Sequence, residues 1–321
     1  MAGKEEKAKV ESKVEMIEPD TELQIIGLDI GRGYVKGSTE FRKEKKECLF
    51  KSVIGDGREL EFQDYEDPIY INFNDRNYFV GLLAEEESKS PVRNSDDSKV
   101  SLTVRVLVAA ALSKLASTEN ISLMLGVPNR AFNKRTLKQV TEEYKGKTFK
   151  IKDKITSAIK EVTIREVNIC KEGDAALIYT LDGTPNTNPV AIAVVGYRTT
   201  ELSYFNPKLK AVDKLSETYE FGNQNVLSII KSELESQGII KETFEIDSSD
   251  FYDEMKKKEY EEASERLSQY LSEIWKNTGE MTTYIGGGTA LHMTFPSNFK
   301  IIEDTQMATA RGLRMIAAAK A

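Results

Sequence analysis

The chain has 321 residues, enough for two lobes of ordinary domain size. Hydrophobic residues make up 40%, which excludes wholesale disorder, and a net charge of −7, from 45 Lys and Arg against 52 Asp and Glu, argues against direct nucleic-acid binding, because phosphate neutralisation needs clustered cations. Cys48 and Cys170 lack CxxC spacing and His292 is the only histidine, so disulfide scaffolds, zinc sites and Ser-His-Asp triads are disfavoured, and His292 reads as a surface or packing residue.

Residues 1–21 are charged and lack the apolar stretch of a secretory signal, which predicts a disordered tail. Residues 23–28 predict a strand, a Gly-rich turn follows, and residues 34–41 predict a second strand. Short strands continue through 42–80 as CLFKSVIG, ELEFQDY, PIYINF and NYFVG. Residues 85–99 are polar and rich in turn formers, which predicts an exposed loop. Residues 101–115 are apolar at helical spacing, 121–127 predict a buried strand ended by Pro128-Asn129, and 131–144 predict a helix stopped by Gly146. Strands at 148–155 and 162–169 and a short helix at 173–181 complete this half.

The pattern then restarts. Val190–Val195 is an apolar strand, followed by a Gly-bearing turn, a strand at 201–205 and a third at 209–215. Residues 223–237 predict a helix closed by Gly238. Residues 251–277 predict a long helix whose Met255, Ala263, Leu267, Leu271 and Ile274 form one core-facing stripe. A strand at 281–285 runs into Gly286-Gly287-Gly288, and an amphipathic helix at 306–320 closes the chain. No apolar run reaches the ~20 residues of a membrane helix, so the expectation is a cytoplasmic chain without a membrane partner. IIGLDIGRGYVKGSTEF and AIAVVGYRTTELSYF share one plan, strand, Gly-bearing turn, strand. Two such units, each followed by helices, predict two related lobes with a ligand in the cleft between them.

Three segments are candidates for chemistry. In Asp29-Ile30-Gly31-Arg32-Gly33-Tyr34-Val35-Lys36 the glycines let successive N–H groups form a concavity suited to phosphate. Lys36 can place a charge on a β- or γ-phosphate, and Asp29 can hold a hydrated Mg²⁺; an ordinary hairpin with a surface Asp is the plain alternative. Gly196-Tyr197-Arg198-Thr199-Thr200-Glu201 repeats the turn with two hydroxyl donors, or is a hairpin in which the threonines are simply strand formers. Tyr284-Ile285-Gly286-Gly287-Gly288-Thr289-Ala290 permits close backbone approach to a flat ligand such as a nucleotide base.

In this order the segments resemble the actin, sugar kinase and heat-shock chaperone ATPase superfamily, and within it the plasmid-segregating bacterial actins of the ParM kind. Leu125-Gly126-Val127-Pro128-Asn129, Glu172-Gly173-Asp174-Ala175-Ala176, Ala308-Thr309-Ala310-Arg311-Gly312 and VGLLAEEESKSPVRNSDDSK are similar to further motifs of that family, so the resemblance spans residues 23–318. It implies an α/β, actin-like two-lobe fold, each lobe built on a ribonuclease H-like mixed sheet with helices. Residues 22–185 with 302–321 would form lobe I, with a small strand-rich subdomain at about 51–95, and residues 186–301 lobe II. It implies ATP or GTP and Mg²⁺ as ligands, with Asp29 holding Mg²⁺ through water. Gly31, Arg32, Gly33, Tyr34 and Lys36 would contact the β- and γ-phosphates, and Glu172 would orient the attacking water. Gly196, Arg198, Thr199 and Thr200 would form the second clasp, and Gly286, Gly287, Gly288 and Thr289 would lie against the nucleoside. Helix 223–237 would add a wall through Lys231 and Ser232.

One position departs from the family pattern. Its second phosphate loop begins with Asp, where this chain has Val194. The departure implies slow hydrolysis, or a substitute carboxylate in Glu172 or Asp174. The resemblance further implies self-assembly into a filament and a ParR-type DNA-binding adaptor carrying a centromere-like plasmid site. Two alternatives stay open on the same fold, a small-molecule kinase and a nucleotide-binding scaffold that neither hydrolyses nor polymerises.

Overall fold

The structure, a computed structural model, describes residues 22–60, 65–95, 97–184, 187–276 and 278–320. The tail expected at 1–21 and most of the strand expected in ELEFQDY lie outside the described residues.

The strands form two sheets. The first contains β1 (Gln24–Ile30), β2 (Tyr34–Phe41), β3 (Glu44–Lys51), β4 (Val53–Asp56), β5 (Ile69–Phe73), β6 (Arg76–Val80), β7 (Val92–Arg93), β8 (Asn120–Val127), β9 (Thr148–Asp153) and β10 (Ile159–Lys171), in the order β3-β2-β1-β8-β10-β9-β5-β6-β4-β7. The second contains β11 (Val190–Val195), β12 (Thr200–Phe205), β13 (Glu217–Tyr219), β14 (Thr282–Gly286) and β15 (Phe299–Ile301), in the order β13-β12-β11-β14-β15. The first five strands of sheet one repeat the order of sheet two. In each, the first strand pairs antiparallel with the second and parallel with the fourth, and the fourth pairs parallel with the fifth. Antiparallel neighbours need only a tight turn, which the Gly-bearing segments supply, whereas parallel neighbours need a long crossover. The repeat read from the sequence is therefore a repeat of topology, and the fold is the mixed α/β architecture expected.

Helices cover both sheets: α1 (Leu82–Glu87), α2 (Leu102–Leu115), α3 (Lys134–Tyr144), α4 (Glu172–Leu181), α5 (Asn223–Ser236), α6 (Thr243–Ser248), α7 (Asp253–Ile274) and α8 (Ala308–Ala318). Ser101 caps α2 and Asn133 caps α3, each side chain accepting an orphan backbone N–H. The stripe on α7 is core packing, with Ala263, Leu267 and Leu271 buried against α5 and sheet two. Helix α8 closes back onto β1 and α4. Gly312 makes this possible, because a Cβ there would overlap the Ala175 carbonyl.

Two expectations are corrected. Residues 85–99 are not simply an exposed loop, since they contain the end of α1, strand β7 and the buried side chains of Asn94 and Lys99. Glu85 pairs with both Lys51 and Arg93. Residues 209–215 are not the third strand. The Asn206 side chain accepts the N–H groups of Lys208 and Lys210, Leu209 sits at φ 53° in the resulting turn, and the strand forms later as β13. Helix α6 was not foreseen from the sequence. Among the described residues no helix is long and apolar enough to cross a membrane.

Candidate functional site

The two hairpin turns are equivalent. In β1–β2, Ile30 pairs with Val35 and Asp29 with Lys36, and the Gly31 N–H donates to the Tyr34 carbonyl at 3.1 Å. In β11–β12, Val195 pairs with Thr200 and Val194 with Glu201, and the Gly196 N–H donates to the Thr199 carbonyl at 2.9 Å. The turns meet across the gap between the sheets. A Cβ on Gly33 would stand 2.9 Å from that of Tyr197, and Arg198 Nη1 donates to the Ser95 carbonyl at 3.1 Å. The Arg93 guanidinium lies 5.4 Å from the Tyr197 ring centroid.

Between the hairpins lies a cavity of about 860 Å³. From the first hairpin, Asp29, Gly31, Arg32, Gly33, Tyr34 and Lys36 line it. From the second come Gly196, Arg198 and Thr199, and from the glycine loop Gly287, Gly288 and Thr289. Glu172 faces it from the N-terminus of α4, where the helix dipole favours a carboxylate.

Four expected residues do not line it. Thr200 is buried, with its hydroxyl donating to the Phe221 carbonyl at 2.8 Å, and so ties the strand to the chain before α5. Gly286 packs on Ile302 and Ile192. Lys231 pairs with Glu242 on the surface, and Ser232 is exposed. The N-terminus of α5 faces the cavity instead, through Asn223. The glycine run also owes much to packing. Gly287 has φ +91°, and a Cβ there would overlap the Val195 backbone, whereas Gly288 is the glycine with ordinary room beside it.

The closed end of the cavity is charged. Lys36 Nζ lies 2.9 Å from Asp29 Oδ2. Lys99, 6% exposed, donates to the Ile30 carbonyl at 3.0 Å and reaches Glu172 Oε1 at 3.4 Å. Burial pushes the Glu172 carboxyl up to about 8, against the pull of Lys99. Burial also raises Glu201, against hydrogen bonds from the Asn129 N–H and the hydroxyls of Thr218 and Thr199. Asp174, the other candidate substitute for the missing Asp, does not line the cavity and accepts from Ser203 Oγ at 2.6 Å. Arg32 is held by Asp97, which also receives Arg130 Nε at 2.7 Å.

Asp29 Oδ1 and Glu201 Oε1 are buried oxygens without a hydrogen-bond partner among the described residues. Unpaired anionic oxygens in a cavity suit a cation. Among the described residues no group of three or more His, Cys, Asp or Glu could hold a bare ion, so a hydrated one fits the donor set better.

The sequence reading gave no role to Lys99, Asp97, Asn223 and Tyr260, read His292 as a surface or packing residue, and placed Glu201 only as the acid that closes the second turn; all six line the cavity. His292 is a stacking residue, its ring 5.1 Å from that of Tyr260 at 19°. Beside Glu201 the halves are strapped together. The Asn129 N–H donates to Glu201 Oε2 at 2.8 Å, Asn129 Nδ2 to the Leu202 carbonyl at 2.8 Å, and the Arg130 N–H to Thr218 Oγ1 at 3.2 Å.

Residues 27–173 match the family of actin-like proteins at their N-terminal domain. No curated protein matches the chain in sequence. Solved structures match across nearly the whole chain at low identity. An archaeal actin homologue in complex with ADP shares 18% identity, covers 92% of this chain and 100% of its own, and gives a TM-score of 0.74. A ParM protein of Clostridium botulinum, solved as a 15-stranded filament, shares 18% identity over 92% of this chain and 99% of its own, with a TM-score of 0.77. A ParM protein of Bacillus thuringiensis with ATP shares 15% identity over 93% of this chain and 99% of its own, with a TM-score of 0.66.

Proposed function

We propose that this chain, whose residues 27–173 match the N-terminal domain of actin-like proteins and whose fold is that of bacterial and archaeal actin homologues, is a nucleotide-dependent, filament-forming actin homologue. One observation carries the reading: two equivalent hairpins face each other across a single cavity and present Arg32, Lys36, Arg198 and Thr199 to it. A polyphosphate there would be gripped from both sides at once, so nucleotide would bias a hinge between two lobes, residues 22–185 with 302–321 and residues 186–301. The ligand is ATP or GTP. Gly288, Thr289 and the Tyr260–His292 pair form the wall available to the nucleoside.

Mg²⁺, when bound with the nucleotide, would neutralise phosphate charge. Asp29, whose Oδ1 is otherwise unpaired, would hold its hydration shell. Glu172 orients the attacking water, and Lys99 fixes Glu172 from below. Lys36 and Arg32 place cations on the terminal phosphates once they leave Asp29 and Asp97. The closed protein stacks head to tail, an interface that does not close on itself, and hydrolysis releases one grip. The working context is the cytoplasm, and the cargo is a plasmid reached through a ParR-type adaptor. The acidic net charge supports a protein intermediary over direct DNA contact.

The test is light scattering and electron microscopy with Mg²⁺ and each nucleotide. Filaments with either nucleotide support the reading; no assembly with both overturns it. Val194 favours a second reading, a scaffold that binds nucleotide without hydrolysis, for which phosphate release would stay at background in the presence of bound nucleotide.

A further inference from the structure

The position where the family carries an acid is Val194, which contributes no charge to the cavity it lines. Its partner across the strand pair is Glu201. Directly opposed residues in an antiparallel pair project from the same face, with Cβ atoms about 5 Å apart. A glutamate is one methylene longer than an aspartate, so a carboxylate rooted at 201 reaches space that an aspartate at 194 would serve. Glu201 is 2% exposed and lines the cavity, and its Oε1 has no hydrogen-bond partner among the described residues. Its Oε2 is already satisfied by the Asn129 N–H and Thr218 Oγ1, each at 2.8 Å, and the Thr199 hydroxyl and the Arg130 charge also favour the ionised carboxylate against burial. That division anchors the side chain by one oxygen and leaves the other without a hydrogen-bond partner in a residue that lines the cavity.

The first hairpin supplies the contrast. At the equivalent pair, Asp29 faces Lys36, whose ammonium lies 2.9 Å from Oδ2. Glu201 faces an apolar Val194 instead, so nothing across the strand neutralises it. Its charge is felt at Glu172, whose carboxyl it helps to raise, which puts the two acids in one electrostatic neighbourhood. Asp174 is diverted to Ser203 and plays no part there.

We propose that Glu201 replaces the missing acid of the second phosphate loop, positioning the hydrated cation that enters with nucleotide, from the strand opposite Val194. The proposal rests on the nucleotide-binding reading above. Glu201 acts through water and is a positioning residue; Glu172 keeps the attacking water. Glutamine at 201 retains an acceptor for Asn129 but loses the charge, and aspartate at 194 returns the charge to the other strand.

The test follows release of a fluorescent ATP or GTP analogue as Mg²⁺ is titrated. Wild type should release the analogue more slowly as Mg²⁺ rises. Glu201→Gln should need about tenfold more Mg²⁺ for the same retention, the usual loss when a group supporting a metal from the second shell is removed. The double variant Glu201→Gln with Val194→Asp should recover most of that loss. Val194→Lys leaves Glu201 and its anchors in place and copies the Asp29–Lys36 pairing; it should raise the Mg²⁺ requirement similarly. An unchanged requirement in both Glu201→Gln and Val194→Lys overturns the proposal and leaves Glu201 a brace for Asn129 and Thr218. So does a loss in Glu201→Gln that Val194→Asp does not recover. If wild type binds neither analogue at any Mg²⁺ concentration, the nucleotide reading itself falls, and this inference with it.

Discussion

The two hairpins share a backbone and differ in charge. Each turns on a glycine whose N–H bonds three residues ahead, and each presents the same register position to the cavity. In the first, that position is an ion pair, Asp29 with Lys36; in the second, it is an apolar residue facing an acid, Val194 with Glu201. The backbone thus sets where a clasp can form, and the cross-strand pair sets its charge. One clasp holds an acid paired with a cation across the strands and the other an acid facing an apolar residue, so they are not interchangeable.

The sharpest test of this contrast is the acid that stands between the hairpins. Glu172→Ala should lower phosphate release about 10²- to 10⁴-fold, with binding of a fluorescent nucleotide analogue largely kept. Equal release by the variant would remove the chemistry from this end of the cavity. Next in size are the cations. Lys36→Ala and Arg198→Ala should each weaken analogue binding about ten- to a hundredfold, the worth of a charge-assisted hydrogen bond. If only one does so, the hairpins do not share a ligand.

A pH effect should follow from burial of the same acid. Glu172 holds its proton to about 8 in the fold against 4.5 for the free side chain. Its stabilising contribution is therefore fully present below 4.5 and lost as pH rises through 8. The Tm of the nucleotide-free protein should fall across that window, and Glu172→Gln should flatten the fall. An equally steep fall in the variant would assign the dependence to other buried acids. The smallest effect belongs to Lys231→Ala, which should change stability by less than about 0.5 kcal/mol and leave nucleotide affinity intact, because its partner Glu242 lies on the surface.

Much of the fold was legible because strand and turn signals are local. The apolar runs at Ile25 and Ile192, with a Gly-bearing turn after each, gave both hairpins and hence the repeated sheet order. The polar stretch before Lys99 was not legible, since its side chains are satisfied by groups distant in sequence. Lys99 meets Ile30 and Glu172, and Asn94 Nδ2 meets the Gly31 carbonyl at 3.2 Å. Lys231 was misjudged for a related reason: it was placed by its helix, while the face of that helix turned to the cavity is fixed by packing of Val226, Leu227 and Ile230. A signal for Glu201 was present. A tight turn that pairs 195 with 200 must set 194 opposite 201, so a charge missing at one could have been sought at the other.

The strap at Asn129 gives that carboxylate a second employment. Glu201 fastens the chain just after β8 to β12 with one oxygen, and its side chain lines the cavity. The seam along which the halves join is therefore wired to the chamber they enclose, like a book whose spine is stitched through its pages. A ligand that drew on this carboxylate from the chamber would act on the spine as well, because one side chain serves both.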